Sequence, residues 1–139
     1  VQGQDFRPST FTGRMEELVL PRGSRPRRMA AAPDGSIWVT LYGTGKLIRI
    51  DTLSKRIAKE VALPGGAGGG AYAVTVDGGG IVWANEINAN TIMRLDPRNY
   101  QLSVVQLPTP DTGIRKMVID AKGRLWYMGS HSGRLGVVQ

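Results

Sequence analysis

Apolar and polar positions alternate along this chain in short runs, and the runs recur. Leu47-Ile48-Arg49-Ile50-Asp51 is matched by Ile92-Met93-Arg94-Leu95-Asp96 and, more weakly, by Leu135-Gly136-Val137-Val138-Gln139. Upstream of each stands a tryptophan-bearing run: Gly35-Ser36-Ile37-Trp38, Gly80-Ile81-Val82-Trp83 and Gly123-Arg124-Leu125-Trp126. These are the chain's three tryptophans, spaced 45 and 43 residues apart. Leu-Pro pairs (Leu20-Pro21, Leu63-Pro64, Leu107-Pro108) follow each strand-like end. Period-two alternation marks half-buried strands. A unit of about 40–50 residues holding several short strands is the sign of a β-propeller blade.

The first repeat predicts strands over 29–32, 36–40, 46–50 and 57–63, with Pro33-Asp34-Gly35 as a tight turn. The second predicts strands over 73–76, 81–85, 91–95 and 102–107, and the third over 116–119, 124–128 and 134–138. Glu16–Pro21 reads as a lone fourth strand. The expected fold is therefore all-β, with a tail over 1–13 and four-stranded propeller repeats over 14–139. Within these lie the lone strand 14–21, a blade 26–64, a blade 71–108 and an incomplete blade 114–139. Closed propellers have about 4–8 blades. About three blades thus imply a partial propeller from a longer chain, or half of a six-bladed homodimer closed by strand exchange. The tryptophans, one at the same place in every blade, are expected to pack between blades.

Composition narrows the chemistry. At 139 residues one domain is expected. Without cysteine there are no disulfides, thiolate metal sites or Cys nucleophile. No apolar run approaches the ~20 residues that cross a bilayer, so no membrane partner is expected. The net charge is +7, and Arg22, Arg25, Arg27 and Arg28 fall within seven residues. That cluster reads as a solvated basic loop, a nucleic-acid patch or an anion-facing wall. No aromatics or lysines interleave with it, so nucleic acid is not expected as a partner. The glycine run 65–70 has neither the strand–loop–helix context nor the Lys-Ser/Thr of a phosphate loop.

In a four-stranded blade, the loop before the first strand and the loop after the second open on the same face. Eleven residues before each Trp stand Arg27, Tyr72 and Arg115; three after it, Leu41, Glu86 and Gly129; five after it, Gly43, Asn88 and His131. Residue type varies between repeats at these positions, as it does in a site assembled from quasi-equivalent loops and as it does under plain loop drift. His131, the one histidine, lies in the polar loop Gly129-Ser130-His131-Ser132-Gly133, where an imidazole can exchange a proton near neutrality. Glu86 reads as a metal ligand, a base or an exposed carboxylate. Arg27, Arg28 and Arg115 read as anion clamps or as donors to backbone carbonyls. Tyr72 and Asn88 complete the substrate-binding candidates. A calcium lactonase needs more oxygens than Glu86 and Asn88 supply.

Several motifs resemble the virginiamycin B lyase-like (streptogramin lyase) propellers. They are Pro26-Arg27-Arg28, the Gly-x-[Ile/Val/Leu]-Trp turns, Pro64-Gly65-Gly66, Ala71-Tyr72-Ala73, Ile114-Arg115-Lys116-Met117 and Gly133-Arg134-Leu135-Gly136-Val137-Val138. The resemblance covers residues from about 14 to 139 and implies the C-terminal portion of a seven-bladed single-chain propeller. It further implies a carbon–oxygen lyase that opens a cyclic depsipeptide antibiotic by elimination, with Mg²⁺ as electrophile, a small-molecule substrate, a role in antibiotic resistance and a periplasmic or secreted location. The family's Glu-x-His element falls here on Gly129 and His131, with the His kept and the Glu replaced. In the second repeat it falls on Glu86 and Asn88, with the Glu kept and the His replaced. On this resemblance His131 is the candidate base or acid and Glu86 the candidate magnesium ligand. The second reading is a non-catalytic propeller that binds an anion, peptide or protein on the same face.

Overall fold

A computed structural model describes residues 13–139; the tail expected over 1–13 lies outside them except at Gly13. Eleven strands form three antiparallel meanders. Blade 1 holds β1 (Pro26–Ala31), β2 (Ile37–Leu41), β3 (Lys46–Asp51) and β4 (Arg56–Ala62). Blade 2 holds β5 (Ala71–Val76), β6 (Val82–Glu86), β7 (Thr91–Asp96) and β8 (Gln101–Gln106). Blade 3 holds β9 (Ile114–Ile119), β10 (Leu125–Gly129) and β11 (Arg134–Val138). The first strands β1, β5 and β9 adjoin in sequence, while β4 and β8 are largely exposed at the outer edge. This is propeller geometry. Glu16–Pro21, expected as a strand, forms none: no strand among the described residues pairs with it. Instead Leu20 packs on the Val39, Leu41 and Ile48 cluster of blade 1. No helix among the described residues is long and apolar enough to cross a membrane.

Two apolar seams join the blades. Trp38, Leu47 and Leu63 of blade 1 meet Val74, Val82, Met93 and Leu95 of blade 2. Ile92 and Leu107 of blade 2, with Trp83 against them, meet Ile114, Met117 and Leu125 of blade 3. The repeat makes the end of the stack plain. Leu47 and Ile92 are 1% and 2% exposed, whereas Leu135 at the same register is 66% exposed. Trp126 lines an apolar cleft of about 230 Å³ with Val118, Met128 and Leu135. The tryptophans are anchored as well as packed. Asp77 and Asp120 accept the Trp83 and Trp126 indole N–H at 3.2 and 2.8 Å. Arg49, Arg94 and Arg124 lie over the three rings.

Every first strand bulges at the same point. Pairing jumps from Pro26↔Leu41 to Met29↔Val39, from Ala71↔Glu86 to Val74↔Ala84, and from Ile114↔Gly129 to Met117↔Tyr127. Two residues thus oppose one, and one of the two amides loses its ladder partner. In blade 1, Thr40 Oγ accepts the Arg28 N–H at 3.1 Å and donates onward to the Tyr72 carbonyl at 2.5 Å. In blade 2, Asn85 Oδ1 accepts the Ala73 N–H at 2.7 Å, and its amide donates to the Ile114 carbonyl at 3.1 Å. Both side chains are buried, so each satisfies its own bulge and latches the next blade. Blade 3 has Met128 there, exposed.

Candidate functional site

The bulges position the site. A bulge turns successive side chains out of strict alternation, and here the bulged pairs are Arg27-Arg28, Tyr72-Ala73 and Arg115-Lys116. The residues eleven before each Trp are therefore the ones the backbone distortion re-aims. Arg27 Cζ sits 4.2 Å from the Tyr42 ring centroid, and Arg28 Cζ 5.1 Å from that of Tyr72. Tyr42 meets Tyr72 edge-on, centroids 6.2 Å apart. The guanidinium groups also donate to backbone carbonyls, Arg27 to Arg25 at 3.4 Å and Arg28 to Arg27 at 3.1 Å. Cation–π contact and these hydrogen bonds hold both forks in place. Tyr42 was not anticipated from the sequence. An aromatic one residue past the end of β2 was the signal for it.

His131 is built into a second cluster. Its Nδ1 lies 2.9 Å from Asp111 Oδ1, and its Nε2 3.4 Å from the Arg115 guanidinium. The ring rests on Gly113, where φ is +74° and any β-carbon would strike the imidazole. Asp111 itself sits at φ +48°, an uncommon conformation for a residue with a side chain. Asn90 of blade 2 fixes this loop, donating to the Thr109 carbonyl at 2.8 Å and accepting the Thr112 N–H at 3.0 Å. Asp111 and Asn90 were likewise missed, because only the fold brings 111 beside 131.

Glu86 and Asn88 serve a different structure. Both carboxylate oxygens of Glu86 accept the Gly65 N–H, at 2.9 and 3.1 Å, and the side chain is buried. Burial pushes its pKa up, with the Gly65 N–H opposing. Gly65 and Gly69 leave no room for a β-carbon against this carboxylate. Asn88 donates to the Gly68 carbonyl at 3.1 Å, and backbone amides 87 and 88 bond Gly70 and Gly69. The glycine run is therefore a strapped loop with one 3-10 turn, Gly66–Gly68. The residues present do not fit a magnesium ion: Glu86 is turned inward, and no three His, Cys, Asp or Glu among the described residues cluster to hold a metal. No contact joins Glu86 to His131, whereas Arg115 reaches His131 directly.

Fold and site together define a β-propeller arc whose bulged first strands present cations and one Asp-paired histidine beside the loops. Its resemblance to the virginiamycin B lyase propellers is shown by solved structures. A catalytically inactive His-to-Ala variant of virginiamycin B lyase from Staphylococcus aureus with quinupristin superposes at a TM-score of 0.84 with 25% identity. It covers 92% of this chain and 43% of that one. A streptogramin B lyase structure matches at TM-score 0.78 and 27% identity, over 88% of this chain and 39% of that one. The periplasmic gluconolactonase of Pseudomonas aeruginosa, at 21% identity and TM-score 0.62 over 88% of this chain and 41% of that one, shares the fold. The chain spans about two fifths of the length of these structures. No protein-family model matches the sequence, and no curated protein matches it.

Proposed function

We propose that this propeller segment contributes the base to an elimination that opens a cyclic ester or depsipeptide. The observation carrying this reading is the 2.9 Å contact between His131 Nδ1 and Asp111. A carboxylate accepting Nδ1–H fixes the tautomer and leaves the Nε2 lone pair as the proton acceptor. His131 then takes a proton α to a carbonyl. The C–H electron pair forms the C=C bond, the β C–O bond breaks, and the leaving group departs as a carboxylate. Arg115, 3.4 Å from Nε2, stands where it can pair with that carboxylate as the C–O bond breaks. Glu86 holds the glycine loop, and no step here runs through magnesium.

Asp111→Asn and His131→Ala are each expected to lower ring opening by about 10²–10⁴-fold. Imidazole ¹⁵N shifts report the tautomer without any substrate: the expected result is a proton on Nδ1 in the parent chain and loss of that preference in Asp111→Asn. A parent imidazole protonated at Nε2 refutes the assignment. The second reading, a non-catalytic binder of anionic ligands, is favoured by the Arg27–Tyr42–Tyr72–Arg28 array. Ligand binding that survives His131→Ala and is lost in Arg27→Ala selects it.

A further inference from the structure

We propose that the inner wall formed by β1, β5 and β9 holds a small multivalent oxyanion, a phosphate or a dicarboxylate, between Arg28, Arg115 and Lys116. The three strands read Pro-Arg-Arg-Met-Ala-Ala, Ala-Tyr-Ala-Val-Thr-Val and Ile-Arg-Lys-Met-Val-Ile, so every charge on them is positive. The bulges deliver those cations in adjacent pairs from blades 1 and 3, flanking a blade 2 strand that is neutral. Arg28, Arg115 and Lys116 enclose a cleft of about 80 Å³ across Ala73 and Val74, with Met29 and Met117 as its apolar sides. That is room for one phosphate-sized group.

Like charges gathered into a cleft repel one another, and no carboxylate among the described residues relieves them. Four acids pair elsewhere: Asp34 with Arg49, Glu60 with Lys46, Asp96 with Arg98 and Asp120 with Arg124; Asp111 pairs with His131, which alone stands between it and Arg115. The Arg28 fork is also set in advance, by the Tyr72 ring and the Arg27 carbonyl. Preorganised donors lose little freedom on binding, and guanidinium forks match phosphate and carboxylate geometry. A dianion here would accept charge-assisted hydrogen bonds from three cations on two blades. This site shares Arg115 with the elimination proposed above and Arg28 with the anion-binding reading beside it, but it needs neither His131 nor any reaction.

The test is an amide NMR titration of the full chain at low ionic strength with inorganic phosphate and, separately, malonate. The expected result is saturable movement of the Ala73 and Val74 amides. Arg28→Gln and Lys116→Gln should each weaken binding about tenfold. Arg56→Gln removes the same charge on the exposed outer strand β4 and should leave the affinity unchanged. Saturation by phosphate alone, or by malonate alone, names the class of ligand. Shifts that only match sodium chloride at equal ionic strength, or that weaken equally in Arg56→Gln, overturn the proposal. Amide spectra confirm that each variant is folded, and because elimination is never assayed, its failure would not touch this result.

Discussion

Replacing Asn85 by alanine tests the idea that one buried amide both completes a bulge and locks two blades. The side chain is 1% exposed, accepts the Ala73 N–H at 2.7 Å and donates to the Ile114 carbonyl at 3.1 Å. Both partners belong to buried residues, so water cannot readily replace what is lost. A buried polar group left without a partner costs about 1–3 kcal/mol, so the two together cost roughly 2–6 kcal/mol. Against a total stability of about 5–15 kcal/mol for a domain, that is a large fraction. Thr40→Val removes the equivalent latch in blade 1 but keeps the volume filled, so it should cost less. Urea denaturation gives the free energies, with an unchanged m-value showing that the unfolded reference is the same. Hydrogen exchange at the Ala73 amide localises the effect. A cost below about 1 kcal/mol for Asn85→Ala, or unchanged exchange at Ala73, would refute the latch.

Glu86 gives a pH test with a definite sign. Burial raises its pKa above the usual 4.5, so between those values the native state binds more protons than the unfolded chain. Its contribution to stability is complete below pH 4.5 and declines as pH rises through the raised value; Glu86→Gln should flatten that decline in urea melts across pH 4–8. Gly69→Ala drives a methyl into the Glu86 carboxylate and should cost about 1–3 kcal/mol, whereas Gly68→Ala meets open space and should stay within about 0.5 kcal/mol; equal thermal shifts would deny the loop its strap. Ile92→Ala should cost about 2–5 kcal/mol and Leu135→Ala under about 0.5 kcal/mol, since the same register is sealed in one blade and bare in the other; comparable losses in denaturant midpoint would contradict the seam.

The propeller was legible in the sequence because its signals are local and periodic. Alternation marks strands, Asp-Gly turns join them, and a large ring recurs at one register. Position eleven before each Trp was legible as a repeated register for the same reason. What gives that position its meaning was not, since a bulge appears only once Met29, Val74 and Met117 are paired across the sheet. Thr40 and Asn85 look like ordinary strand residues until their partners on the next blade are known. Glu86 showed the right residue type at the right register, but its burial depends on the Gly65–Gly70 loop folding back over it. The strand expected at Glu16–Pro21 had the right composition, yet a strand also needs an edge beside it.

Each blade is a contiguous stretch of chain whose strands pair only with sequence neighbours, 26–62 in the first and 71–106 in the second. A nascent polypeptide leaving the ribosome can therefore finish one sheet before the next has been made. Synthesis proceeds at about 5–20 residues per second, whereas a hairpin forms in about 1–10 μs. Blade 1 can thus offer its Trp38 face as a template while blade 2 is still being translated. Order of emergence and order of docking coincide along the three described blades, so the apolar faces of blades 1 and 2 stay uncovered only for the few seconds it takes to add one more blade.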